Sequence, residues 1–283
     1  LSGRTIDIEV FPLSFPEFLE FKNLSKNELL LNRDLRRGLL NEFLEFGAFP
    51  EVVLEDDENK KKEIVRAYWN SIVIKDIERR FKIKKPSLLE AVGRYILSNP
   101  AAFLSLRKLS RAINISFSTV ERYIKYFEYA KAAIFLKKFS WKITEQEKSP
   151  KKMYLADGSF FTAYGFRFSK NIGKLFENAV CIELMRRGND LFYYKSPSGY
   201  EVDFVVSESG RVKQLVQVCY NLTEENKARE LRALIHASES LRCKNLLVIT
   251  DSYESTESVK WYGVRRKVRF VPLWKWLLAG KIF

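Results

Sequence analysis

Two carboxylates set two residues apart in an apolar run are the side chains of this sequence best placed to do chemistry. In Tyr200-Glu201-Val202-Asp203-Phe204-Val205-Val206 the alternation is that of a strand. It puts Glu201 and Asp203 on one face and Val202, Phe204 and Val206 on the other. The wet face of an edge strand has the same pattern. Imidazole and thiol chemistry are poorly served. The one His, His236, excludes schemes needing two imidazoles and most zinc sites. Beside Leu231, Leu234 and Ile235 it reads as a partly buried structural residue. Cys181, Cys219 and Cys243 are too widely spaced for metal-ligand pairs and read as core thiols of a reducing compartment. A phosphate-binding loop needs G-x-x-x-x-G-K-[ST]. Here Gly173-Lys174 is followed by Leu175, without the hydroxyl that would hold magnesium. ATP hydrolysis is therefore not expected of this chain alone.

The elements around the carboxylates follow a definite order. Residues 170–187 place Leu175, Ala179, Ile182 and Met185 on one helical stripe, stopped by Gly188. Phe192-Tyr193-Tyr194 reads as a strand, 200–206 as a second, 215–220 as a third, 223–240 as a helix and 245–250 as a further strand. This order resembles the core of the PD-(D/E)xK nuclease superfamily. Sites of that kind converge carboxylates on one or two magnesium ions, which activate water and stabilise charge on the scissile phosphate. The resemblance implies Glu177 as the helix carboxylate and Asp203 as the hairpin Asp. It puts Gln217-Val218-Cys219 where the family has E-x-K. Gln217 can serve as a neutral oxygen ligand, but Cys219 supplies no cation. The catalytic and metal-ligating set implied is Glu177, Asp203 and Gln217 with Mg2+. Lys195, Lys227 and Arg229 are the basic side chains available to replace the missing Lys. Further on, Trp261, Tyr262, Arg265, Arg266, Lys267 and Arg269 interleave aromatics with basics, suited either to nucleic acid or to a core strand continuing through Val268, Phe270, Val271 and Leu273. Trp274, Trp276, Leu277 and Leu278 read as a closing helical turn.

Residues 87–138 carry a binding signal of a different kind. Leu88, Ala91, Val92, Tyr95 and Ile96 form one helix, ended by Asn99-Pro100; residues 104–113 form a second; Asn114-Ile115-Ser116 is a tight turn. A third helix starts at Ser116 or Ser118, with Glu121 supporting Ser118 as in a capping box, and buries Val120, Tyr123, Ile124 and Phe127. Two short helices joined by a turn make a helix-turn-helix. Residues 134–141 and 151–155 supply two wing strands around a polar loop. Over residues 104–138, eight basic side chains face two acidic ones, a surplus suited to phosphate neutralisation. The expected DNA contacts are Arg107, Lys108, Ser116, Ser118, Thr119, Arg122 and Lys125. A winged helix that serves only as a spacer or docking platform is the alternative.

The remaining features bound the whole. With 283 residues, 49 basic against 35 acidic and a formal charge of +14, the chain suits several domains and a polyanionic partner. No run of 18 apolar residues appears and no signal pattern opens the chain, so the expectation is a cytoplasmic protein with no membrane partner. Residues 25–81 read as helical: Leu35, Leu39, Leu40, Phe43 and Leu44 form a stripe ended by Gly47 and Pro50, and Glu55-Asp56-Asp57-Glu58 a solvated turn. Arg79, Arg80, Lys82, Lys84 and Lys85 form a basic linker. Residues 4–15 alternate as a strand that breaks at Pro12 and needs partners elsewhere. The runs LSGRTIDIEVFPLSFPEFL, NISFSTVERYI, GKLFENAVCIELMRRG, GYEVDFVV and LVQVCYN resemble a family of archaeal AAA-type ATPases, in which a winged helix and a C-terminal domain follow the ATPase module. That resemblance makes 1–24 the end of an ATPase module and Arg4 a residue near the end of its core. The expected organisation is a multi-domain α/β chain: a helical connector (25–86), a winged helix (87–157) and a restriction-endonuclease-like domain with a mixed sheet (158–283). Three functions are compatible: DNA binding with a degenerate nuclease-like domain, metal-dependent DNA cleavage, and a non-enzymatic scaffold for a protein partner or homo-oligomer.

Overall fold

A computed structural model of the chain describes residues 8–166 and 168–280. Arg4 and the first part of the strand expected over 4–15 lie outside them. The described part of that run, residues 8–14, is not a strand. Pro12 has no N–H to give a ladder, and Ser14 commits the following residues to a helix. The Ser14 N–H donates to the Glu17 carboxylate at 2.7 Å and the Ser14 hydroxyl accepts from the Glu17 N–H, a capping box with Pro16 in the first turn.

α1 (Phe15–Phe21) lies in the stretch read as the end of an ATPase module, where no helix was expected; the segment read as helical then forms α2 (Lys26–Leu31), α3 (Arg33–Phe46), α4 (Pro50–Leu54) and α5 (Glu58–Ser71), which runs on as π-helical turns over Ile72–Arg79. Leu39, Leu40 and Leu44 are buried along the expected stripe of α3. Asp57 in the acidic turn caps α5 through the N–H groups of Asn59 and Lys60. Next come α6 (Pro86–Ser98), β1 (Ala102–Phe103), α7 (Leu106–Ala112), α8 (Phe117–Tyr129), β2 (Ala133–Lys138), α9 (Ile143–Lys148) and β3 (Lys152–Leu155). Asn114 turns α7 into α8 with φ +51°, a conformation Asn tolerates. Of the two candidate caps, Ser116 caps α8 through the Thr119 N–H; Glu121 makes no capping box with Ser118 and pairs with Lys125 at 3.2 Å. The segment between the wing strands, expected as a loop, holds α9.

The rest is α10 (Ser159–Ala163), α11 (Phe168–Arg186), β4 (Asp190–Lys195), β5 (Glu201–Glu208), β6 (Arg211–Cys219), α12 (Glu224–Ser240), β7 (Leu246–Thr250), β8 (Ser255–Trp261), β9 (Val264–Pro272) and α13 (Leu273–Leu278). All nine strands among the described residues join one mixed sheet, ordered β1-β3-β2-β4-β5-β6-β7-β9-β8. The wing pair is thus continuous with the C-terminal strands, β2 running parallel to β4 at Lys137↔Phe192. One face packs under α1, α3, α11 and α13, the other under α12. The aromatic–basic run at 261–269 is the end of β8, the turn and most of β9, with Tyr262 at the tip and 88% exposed.

Candidate functional site

β5 lies between β4 and β6, so Asp203 is not on an edge strand; it is 6% exposed. The alternation expected along this strand breaks. A β-bulge shifts the β4–β5 register between Phe192 and Tyr194, and Val202 packs with Val205 on the α12 side while Phe204 and Val206 pack on the α11 side. Bulges re-aim side chains in this way. Glu201 and Asp203 converge instead on a residue from another element. The Lys152 ammonium, at the start of β3, lies 2.9 Å from Asp203, 2.9 Å from Glu177 and 3.1 Å from Glu201.

β3 is fastened to α11 beside this contact. The Asn178 side chain accepts from the Leu155 N–H at 2.8 Å and donates to the Leu155 carbonyl at 3.0 Å. Two residues from Lys152 on the same strand, the Tyr154 hydroxyl donates to Glu177 at 2.6 Å. Lys152 itself is only 3% exposed. Burial works against its charge, but Asp203, Glu177 and Glu201 outweigh it and hold the ammonium protonated well above the ordinary lysine range. Burial and the neighbouring Asp203 charge push the Glu177 carboxyl up to about 7.

The expected set is brought together in part. Glu177 and Asp203 meet at Lys152, and Asp203 also accepts from the Val218 N–H at 2.9 Å. Gln217 is turned to α12: its amide donates to Glu230 at 2.7 Å and its oxygen accepts from the Asp203 N–H at 3.3 Å. The basic side chains considered as replacements are engaged elsewhere or stand at the rim. Lys227 pairs with Glu257 at 2.7 Å and Arg229 with Glu230 at 2.6 Å, while Lys195 reaches Glu201 only at 3.4 Å. Burial pushes the Cys219 thiol up to about 11, as expected of a core thiol. Oxygen donors are the right chemistry for Mg2+, but an ammonium 2.9 Å from two of them holds the space an ion needs. Among the described residues no group of three His, Cys, Asp or Glu is arranged to hold a metal ion. In this arrangement the carboxylates fit a cation supplied by the chain. Sequence reasoning missed Lys152; the available signal was Lys152-x-Tyr154, two polar-tipped side chains on one face of a strand that is otherwise apolar.

The helix-turn-helix presents a second surface. Arg107, Lys108, Ser116, Ser118, Arg122 and Lys125 are exposed and Thr119 is half-buried. The Ser116 hydroxyl is within 3.1 Å of that of Ser118 and 2.8 Å of that of Thr119. A groove of about 520 Å3 runs between the start of α8 and the linker, bringing Lys82, Lys84 and Lys85 beside Ser116, Thr119 and Arg122. Phe81, stacked on Tyr126 at 3.8 Å, anchors the linker there.

Residues 37–170 match the family model described as Domain of unknown function (DUF8612), and residues 172–276 match Domain of unknown function (DUF4143). The second of these spans is similar to that domain. That span holds Glu177, Glu201 and Asp203, whereas Lys152 comes from the DUF8612 region. An uncharacterized protein of Methanocaldococcus jannaschii is 36% identical over 99% of this chain, and one of Haemophilus influenzae is 29% identical over 91%. The chain spans 65% and 62% of those two relatives. No described helix is long and apolar enough to cross a membrane.

Proposed function

We propose that this chain is the DNA-binding C-terminal region of an archaeal-type ATPase-family protein that does not itself hydrolyse ATP. DNA is bound at the helix-turn-helix, and the nuclease-like carboxylates are closed by Lys152. The observation that carries the binding half is the groove in which Lys82, Lys84 and Lys85 join Arg122 at the start of α8. Clustered cations bind phosphates with release of counterions, and exposed polar positions on α8 are available for base edges. Fluorescence anisotropy of a labelled duplex across a salt series tests this. Affinity should fall steeply with salt and drop in Lys84→Ala/Lys85→Ala/Arg122→Ala. Absence of salt-dependent binding overturns the reading.

A second reading, metal-dependent DNA cleavage, is favoured by one observation: Lys152 brings to Asp203 and Glu177 the cation that Cys219 does not supply. Calorimetric titration of Mg2+ and Mn2+ beside a plasmid-nicking assay separates the two. Binding and nicking in the wild type, both lost in Asp203→Ala, would establish cleavage; the first reading, in which Lys152 occupies the place of the ion, expects neither.

A further inference from the structure

The parallel strands β6, β7 and β9 end at a common rim, and a cleft of about 190 Å3 lies there that shares no lining residue with the Lys152 cluster. Tyr220 follows β6, Asp251 follows β7 and Trp274 follows β9; α3 faces them with Arg33, Arg36 and Arg37. In open α/β sheets the crevice beyond the carboxyl ends of the strands is where ligands bind. Phe176, Tyr220 and Trp274 give the cleft its aromatic surface. Phe176 meets Tyr220 edge-on at 5.3 Å. The Arg36 guanidinium stacks over Trp274 at 4.3 Å and donates to the Leu29 carbonyl at 3.3 Å. Arg33 and Arg37 are exposed and paired with no carboxylate among the described residues, and one acid, Asp251, faces the three guanidinium groups.

Paired guanidinium forks suit phosphate oxygens, and flat rings suit a nucleobase. The volume is near the ~150 Å3 that holds one six-membered ring, so a single base fits and a duplex does not. We propose that this cleft binds a nucleoside phosphate. Arg33 and Arg37 hold the phosphate at the mouth, the base lies against Tyr220 and Trp274, and Asp251 accepts from an amino or hydroxyl group. The ligand is either a free nucleotide or the phosphorylated end of a single strand.

Calorimetric titration of adenosine monophosphate into the full chain, with 5′-phosphorylated and unphosphorylated single-stranded oligonucleotides in parallel arms, tests this. Adenosine monophosphate should bind, with affinity at least tenfold weaker in Arg33→Ala/Arg37→Ala. Binding of the phosphorylated strand but not the free nucleotide, with the same loss in the variant, assigns the site to a strand end. No binding in any arm, or equal affinity in wild type and variant, overturns the proposal. Duplex affinity measured on the same variant should stay within twofold of wild type, so this result and failure of the helix-turn-helix reading remain separable.

Discussion

At Lys152 the balance of burial and charge can be tested directly. Removing one partner of a buried ion pair costs about 3–5 kcal/mol, because the other charge stays desolvated. Lys152→Met should therefore destabilise the chain by about that amount in chemical denaturation, and Asp203→Asn in the same background should recover part of it. A pH signature accompanies the loss. The Glu177 carboxyl stands at about 7 against an ordinary 4.5, so the folded state holds this proton more tightly than the unfolded chain. That contribution is fully present below pH 4.5 and is lost as pH rises through about 7. Without the ammonium the carboxyl moves higher still. The deficit of Lys152→Met should be larger at pH 8 than at pH 5, and equal deficits would contradict the contacts described.

Among the elements, the junction between α3 and α4 is the most constrained. Gly47 has φ +79° and ψ −163°, a region essentially reserved for glycine. A Cβ there would collide with the Asp157 carboxylate, which accepts from the Ala48 N–H at 2.9 Å and the Ser159 N–H at 2.8 Å. Gly47→Ala should cost about 3 kcal/mol, the upper end for such strain, and a thermal melt unchanged from wild type would refute this. The start of α8 offers a subtler contrast. Ser116→Ala removes the hydroxyl that accepts from the Thr119 N–H and should cost about 1 kcal/mol. Ser118→Ala, whose hydroxyl caps no backbone group, should change stability by less than about 0.5 kcal/mol. Reversal of that order in urea denaturation would point to Ser118 as the cap.

For the whole molecule, the controlling feature is the continuity of the sheet. Because β2 joins β4, β3, which carries Lys152, is held in one sheet with β5, which carries Glu201 and Asp203. The formal +14 raises the field around the entire chain, but salt dependence resolves local from general attraction. Each phosphate contact contributes about 0.9 to the slope of log K against log salt. Arg122→Ala should lower that slope by about 1, whereas Arg211→Ala, exposed at the start of β6 and outside the groove at α8, should leave it unchanged. Equal slopes for wild type and Arg122→Ala would remove Arg122 from the interface.

The sequence by itself determined the local elements: the connector helices, the helix-turn-helix, the β5–β6 hairpin and the helix carrying Glu177 are legible because periodicity, caps and turn residues are properties of short segments. The alternation also marked Glu201 and Asp203, whereas Glu177 and the missing Lys at Cys219 were implied by the resemblance to the nuclease superfamily. Residues 8–14 were misread because alternation does not register the capping box at Ser14 that takes over. Only the tertiary structure decided which cation meets the carboxylates. Lys152 and Asp203 meet side chain to side chain across 51 positions, on strands with β2 and β4 between them, and contacts at that separation leave no periodic trace in the segments that make them. The turning of Gln217 toward Glu230, the gathering of the linker lysines at α8 and the arginine-lined cleft between α3 and the strand ends are likewise consequences of packing between distant elements.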